Sequence, residues 1–182
     1  MDDEKNPDNE DSNTFKMSLE EEISKTMRLA FWDKLESEMK EKKYEMLLSV
    51  LDDLRFKICE MIPNRHDLHE NLYEHIDVDL LEQMLNHDAV DNNYIFNTIQ
   101  FIITQLKELD SIEDEPYYEI WRTQINKRLQ DTDCRLHILL PIFLRETFFR
   151  VDKIEYSIKR FKASELYKVI KERKNSIHGD IE

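Results

Sequence analysis

Apolar residues recur every three or four positions along most of this chain, which is the spacing of one face of an α-helix. The first such face follows a capping box made by Ser18 and Glu21 and runs to about Glu41. A second face ends at Pro63, because the proline ring blocks helical geometry at Ile62 and removes a backbone donor. The inward positions predicted for these two helices are Ile23, Met27, Ala30, Phe31, Leu35 and Met39, then Leu47, Val50, Leu51, Leu54, Ile58 and Met61.

Three further helices are predicted in the middle of the chain. One begins at Asn64, a shorter one is capped by Asp77 or Asp79, and a longer one is capped by Asp91 with Asn92. In each case a carboxylate or amide oxygen can accept bonds from the free backbone N–H groups of the first turn. The apolar positions are Leu68, Leu72 and Ile76, then Leu80, Leu81, Met84 and Leu85, then Ile95, Ile99, Ile102, Ile103 and Leu106.

The last third of the chain predicts two or three more helices after an acidic connector at residues 110–115. Pro116 suits the first turn of a helix, Pro141 should kink the next one or mark its start, and Ser164 can cap a separate final helix. The inward positions are Tyr117, Ile120, Trp121, Ile125 and Leu129, then Leu140, Leu144, Phe148, Val151, Ile154, Ile158 and Phe161.

These elements predict an all-α fold, an irregular bundle of six to eight helices in one domain over residues 18–175. Residues 1–17 are too polar to bury a core and are expected to form a disordered acidic tail, and residues 176–182 a flexible tail. With one glycine and four prolines, the chain has few sites for hairpin turns. The glycine, Gly179, lies near the end, which excludes glycine-rich phosphate loops from these residues.

Charge and cysteine content narrow the class of protein. The formal net charge is -14, and no run of about 18 apolar residues suggests a membrane span. Cys59 and Cys134 lie in apolar helical patterns, as expected of reduced, buried thiols in an intracellular, cytoplasmic protein. Few Gly and Ala beside many Ile, Asn and Lys are typical of an AT-rich genome, such as that of a protist or a large DNA virus.

Two features are candidates for partner binding. Residues 145–174 hold ten Lys or Arg against five Asp or Glu, and Arg150, Lys159 and Lys162 are expected on their charged outer face. The interspersed acids dilute this face, which disfavours nucleic-acid binding. Trp32 lies at the border of the first apolar face, whereas Phe31 can join the core. Aromatic residues at such borders either pack in the core or anchor a partner protein.

A cluster of metal-capable residues supports an alternative function. His66, His69, Asp79 and His87 lie within two short predicted helices, and His66 and His69 can share one helix face and bind an ion. The pairs His66-Asp67 and His87-Asp88 are similar to those of metal-dependent phosphohydrolases, but the full set of ligands is missing. The acidic residues of this region also suit helix caps.

Several short motifs, in order, resemble the Tcp11 (T-complex protein 11) family. They are Ala30-Phe31-Trp32-Asp33 with Leu35, Met61-Ile62-Pro63-x-Arg65 with Leu68, Ile76-Asp77-x-Asp79-Leu80-Leu81 with Gln83, Ala89-x-Asp91, and Leu140-Pro141-x-Phe143 with Arg145 and Phe148. The resemblance covers roughly residues 25–161 and corresponds to the N-terminal part of the family domain.

The resemblance implies a helical, non-enzymatic protein that binds protein partners, linked in some members to signalling by cAMP-dependent kinase. It implies no catalytic residues and no cofactor. The alternative is a metal-dependent phosphohydrolase-like enzyme that uses the region from His66 to His87. A helical bundle of the Bcl-2 type, which grips partner helices, is disfavoured because its signature needs a glycine between helices.

Overall fold

The computed structural model describes residues 8–131 and 133–171 of the chain. Besides the helical residues 165–171, these ranges contain seven α-helices and no strand, which confirms the all-α prediction and the expected number of helices. A short 3-10 turn at Ile112–Asp114 precedes the sixth helix, and residues 165–171 are helical. The helices are α1 Asp8–Lys40, α2 Glu45–Met61, α3 His66–His75, α4 Val78–Asn86, α5 Asn92–Leu109, α6 Glu115–Leu129 and α7 Leu136–Lys162.

Most helix ends in the middle of the chain follow their local sequence signals. Helix α2 ends two residues before Pro63, and Pro116 is the second residue of α6. Of the two candidate caps for α4, Asp77 is the one used, because its Oδ1 accepts a bond from the Leu80 N–H at 2.9 Å. Asp91 caps α5 in the same way through the Asn93 N–H, at 2.8 Å. These caps set the short turns that join α3 to α4 and α4 to α5, so that α3 packs on α5 while α4 packs on α2.

The start of α1 differs from the prediction. The helix begins at Asp8, ten residues before the predicted cap at Ser18. Pro7 precedes the helix in sequence, and the acidic side-chain types at Asp8, Glu10 and Asp11 favour a helix N-terminus. Residues 1–7 and the predicted tail at residues 176–182 lie outside the described residues.

Helix α7 is at the centre of the bundle and packs against α1, α2 and α5, while α6 packs on α5. It begins at Leu136 and runs through the buried Pro141, five residues further on, so Pro141 does not mark its start. Ser164 follows the helix and accepts a bond from the Tyr167 N–H, as predicted for the cap of a final helix. The centre of the core is formed by large side chains from five helices, including Leu54, Ile58, Leu72, Ile103, Leu106, Tyr118 and Phe143.

Several predicted inward positions are exposed. In α6 the buried face holds Tyr118, Trp121 and Ile125, so the helix is rotated from the predicted face and Ile120 is exposed. Leu80 and Phe161 are also exposed, because each lies at the edge of its helix face or near the end of a helix. The largest difference concerns α1, where only Leu35 and Met39 of the predicted face are fully buried. Its exposed predicted positions are Ile23, Met27, Ala30 and Phe31.

Candidate functional site

The exposed stretch of α1 forms one wall of an apolar groove of about 1030 Å³. Helix α7 forms the opposite wall, and α2 contributes to the floor. Two of the lining side chains are strongly exposed, since Met27 keeps 68% and Phe149 keeps 60% of its surface in contact with solvent. Solvent-facing apolar clusters of this kind mark binding surfaces in many proteins. The apolar lining residues are Ile23, Met27, Leu29, Phe31, Trp32, Val50, Phe148 and Phe149.

The charges around the groove are predominantly positive. Lys25, Arg28 and Arg145 line it, are exposed, and form no ion pair within the described ranges. Two carboxylates, Asp53 and Asp152, also line it, but Asp152 is already paired with Lys57 of α2 at 2.9 Å. Three cations therefore face one unpaired anion, in a chain whose total charge is -14.

Trp32 lies at the border of the core, where it was predicted, but Phe31 does not lie in the core. Trp32 is half-buried and packs against the core, with its ring 6.0 Å from that of Phe148 on α7. Phe31 is 41% exposed and lies edge-on to Trp32, with 4.9 Å between ring centroids. Trp32 is thus the point at which α1 joins α7, and both aromatic residues line the groove. The prediction that Phe31 belongs to the core is wrong, because the described helices leave this turn of α1 uncovered.

Sequence reasoning missed most of the groove residues. It assigned Ile23 and Met27 to the core and did not consider Phe149. One signal was available: Phe148 and Phe149 are adjacent, and neighbouring positions on a helix point about 100° apart, so both rings cannot face the same core. The missing information was which helix lies opposite α1, and periodicity does not supply this.

Arg150 is not on the charged outer face where it was predicted. Its side chain is buried among α6, α7 and the 3-10 turn, with its guanidinium carbon 3.3 Å from the centroid of the Tyr117 ring. Its Nε donates to Glu146 at 3.1 Å, and its Nη1 lies 3.7 Å from Asp114. Arg150 therefore ties the acidic connector to α7 and is inaccessible to a partner in this structure.

Cations and hydroxyl groups surround the carboxylates near Arg150. Lys153, 2.6 Å from Asp114, together with the Ser111 hydroxyl, holds the pKa of the Asp114 carboxyl below its usual value. The Tyr117 hydroxyl donates to Glu146 at 2.5 Å, and burial raises the pKa of this phenol. Tyr118 is buried beside it and donates to Asp110 at 2.8 Å. The cluster thus combines ion pairs with satisfied hydrogen bonds, as a structural joint requires.

The two other basic residues predicted to bind a partner are exposed near the end of α7. Lys159 is paired with Glu155, one turn earlier on the same helix, at 2.5 Å. Lys162 is the last residue of α7. Neither lines the groove, so the predicted partner-binding residues Trp32, Arg150, Lys159 and Lys162 do not form one surface.

The metal-capable side chains in and next to α3 and α4 contact neighbouring groups of the same region and do not converge on one point. His66 and His69 lie edge to face with 5.5 Å between ring centroids, and the His69 Nε2 is 2.9 Å from the Ile62 carbonyl. His87 Nδ1 bonds to the Gln83 carbonyl at 2.8 Å, and Asp79 lies exposed in the first turn of α4. Over residues 8–131 and 133–171, no group of three or more His, Cys, Asp or Glu side chains is placed to hold a metal ion.

A metal-binding measurement tests the alternative function of this region. We expect the purified chain, incubated with Zn²⁺, Mn²⁺ or Mg²⁺ and then desalted, to retain less than one ion per chain and to keep its melting temperature. The reason is that a binding site needs three or more converging ligands to offset the dehydration of the ion. Stoichiometric retention by elemental analysis, abolished by His66→Ala with His69→Ala, would contradict this.

Cys59 and Cys134 are free and half-buried, whereas the sequence predicted buried thiols. Burial raises the pKa of both the Cys59 and the Cys134 thiol, which lowers the fraction of reactive thiolate.

A model of the family described as T-complex protein 11, Tcp11, matches residues 4–110, which are 107 of the 182 residues. The chain belongs to the Tcp11 family. The match covers α1 to α5, and so includes the motifs from Ala30-Phe31-Trp32-Asp33 to Ala89-x-Asp91 that carried the resemblance. The later motif around Leu140-Pro141-x-Phe143 lies beyond the matched residues. The α1 and α2 sides of the groove are therefore within the Tcp11 match, and the α7 side is outside it.

No solved structure was found to match this member of the Tcp11 family. In the part of the chain that the structure describes, no helix is both long enough and apolar enough to cross a membrane.

Proposed function

We propose that this Tcp11-family chain is a non-enzymatic intracellular interaction protein that binds a protein partner in the groove between α1, α2 and α7. The observation that supports this most directly is the exposure of Met27, Phe31 and Phe149 around one cavity of about 1030 Å³. Burying one such side chain is favourable by roughly 1.5 to 3 kcal/mol of free energy, and this stabilisation is absent while the side chain stays in water. A partner that covers them recovers part of this free energy.

The groove also has the anatomy of a protein-binding surface. Large aromatic and methionine side chains form its centre, and charged residues form its rim, as at other protein interfaces. Trp32 and Phe148 pack against each other and against the core at the base of the groove. They hold the α1 and α7 walls together there, whereas the outer side chains of both walls remain exposed. The resemblance suggests signalling by cAMP-dependent kinase as the setting for the partner.

Replacing two exposed apolar residues of the groove by glutamate should strongly reduce partner capture. We expect the double variant Met27→Glu with Phe149→Glu to lose at least about tenfold of the specific partner signal, because each charge would be desolvated on binding. Tagged wild-type chain and variant are incubated with native extract of the source cell, and captured proteins are quantified by mass spectrometry. Circular dichroism checks that the variant remains helical.

A matched control is available on α2. Phe56 is 59% exposed, almost the same as Phe149, but lies outside the groove. Phe56→Glu should therefore capture the same partner at the wild-type level. Equal capture by the wild-type chain and the groove variant would refute the proposal.

A further inference from the structure

We infer that the groove binds an acidic amphipathic helix of another protein, whose apolar side packs on α1 and α7 and whose carboxylates meet Lys25, Arg28 and Arg145. The inference rests on the proposed function and goes further, because it specifies the secondary structure and the charge of the partner.

The charge argument begins with the three cations. Lys25 and Arg28 lie on one wall of the groove and Arg145 on the other, and none is paired within the described ranges. Half of the Lys and Arg side chains at residues 21–131 and 133–171 form ion pairs, as Lys42 does with Asp88 and Lys107 with Glu115 and Glu119. Unpaired cations on both sides of an apolar surface favour an occupant that carries acidic residues on both flanks.

The shape argument concerns the length and the pattern of the α1 wall. Residues 23–32 span about 14 Å along the helix axis, which is between two and three helical turns. Ile23, Met27 and Phe31 are spaced four residues apart along this wall, and Phe149 faces them from α7. Grooves between two helices recognise amphipathic helices through anchors at i, i+3 or i+4, and i+7. The groove offers apolar contacts over this length.

Other occupants fit less well. Residues 165–171 of the same chain expose Leu166, Val169 and Ile170, but their charges are Lys168 and Lys171 against one carboxylate, Glu165. Their net charge has the same sign as that of the groove. In a second copy this segment and the groove itself also carry excess positive charge, so neither of these two surfaces suits the groove. Over the Debye length of about 8 Å at physiological salt, these local charges matter more than the total of -14.

A library of helices tests both the partner type and its charge. Phage-displayed peptides of about 15 residues share a helix-forming frame with leucines at i, i+4 and i+7, and their flanking positions vary among Glu, Gln and Lys. They are selected on the full chain. We expect Glu to be enriched at the flanking positions, and binding of the selected peptides to weaken at least about tenfold on Arg28→Glu with Arg145→Glu.

The matched control is Arg160→Glu with Lys162→Glu, which reverses two exposed charges at the end of α7 outside the groove. It should bind the selected peptides as the wild-type chain does. The inference would be overturned if the selection enriched Lys, showed no charge preference or yielded no helix. It would also be overturned if the selected peptides bound equally well to the variant Arg28→Glu with Arg145→Glu. A third contradicting result would be that the wild-type chain dimerises at micromolar concentration, or binds phosphatidylserine vesicles, and that this same variant does not.

The two proposals fail in different ways. If the extract experiment finds a partner that is lost with Met27→Glu and Phe149→Glu, but the library selects no acidic helix, the interaction function stands and the acidic helix does not. If the wild-type chain captures no groove-dependent partner, the proposed function itself falls.

Discussion

Phe143→Ala should lower the free energy of unfolding by about 3 to 5 kcal/mol, the range for removing a large aromatic side chain from a core. Phe143 is 1% exposed and stacks on Trp121, with 5.3 Å between ring centroids. It thereby joins α7 to α6, and it also borders a small void of about 30 Å³ next to α5. Removing the ring would enlarge this void and remove the packing of α7 on Trp121 of α6.

Urea unfolding followed by circular dichroism at 222 nm measures the effect. Phe149→Ala is the control, since Phe149 is on the same helix but is 60% exposed, and we expect a loss below about 1 kcal/mol. A loss below 1 kcal/mol for Phe143→Ala would show that the centre of the bundle is not packed as described.

Arg150→Ala should lower the free energy of unfolding by about 2 kcal/mol. Breaking a fully buried ion pair costs about 3 to 5 kcal/mol, but the side chains of Glu146 and Asp114 keep 34% and 25% exposure, so water can compensate in part. The variant also loses the contact of the guanidinium with the Tyr117 ring. Arg150→Lys should restore little, because an ammonium lacks the planar fork that reaches both carboxylates and stacks on the ring.

The effect of Arg150→Ala should depend on pH. The pKa of Asp114 is lowered in the folded chain, chiefly by Lys153 and the Ser111 hydroxyl and to a smaller extent by Arg150. The contribution of Arg150 to this ion pair is therefore present above the unfolded pKa and is lost as pH falls through the folded pKa. The difference between wild-type and variant should therefore be largest near pH 7 and shrink below about pH 4. Urea unfolding at both pH values measures it, with Arg160→Ala as an exposed control. A difference that grows in acid would contradict the role given to Arg150.

Local signals in the sequence predicted the helix ends well. Pro63, Asp77, Asp91 and Pro116 each act within one turn of the chain, and proline geometry and carboxylate capping are properties of that turn alone. The buried faces of α2 and α5 were also predicted, because these helices are covered on one side by several neighbours and the apolar stripe is unambiguous.

Features that depend on distant helices were not predicted. Ile23, Met27 and Phe31 have the same spacing as core residues, and only the position of α7 shows that they border an open groove. Arg150 looked like a surface cation because its three partners, Tyr117, Glu146 and Asp114, come partly from another helix and from a connector. Periodicity describes one helix at a time, whereas a binding surface or a buried charge belongs to two or three.

The pairing of α1 with α7 affects how the chain can fold during synthesis. Trp32 of α1 contacts Phe148 of α7, which lies more than a hundred residues later in the chain. The main packing partner of α1 is therefore absent until those residues have been synthesised. At about 5 to 20 residues per second this delay is on the order of ten seconds. Until then Trp32, Leu35 and Met39 are accessible to the chaperones that bind nascent chains, and the groove forms only after α7 has been made.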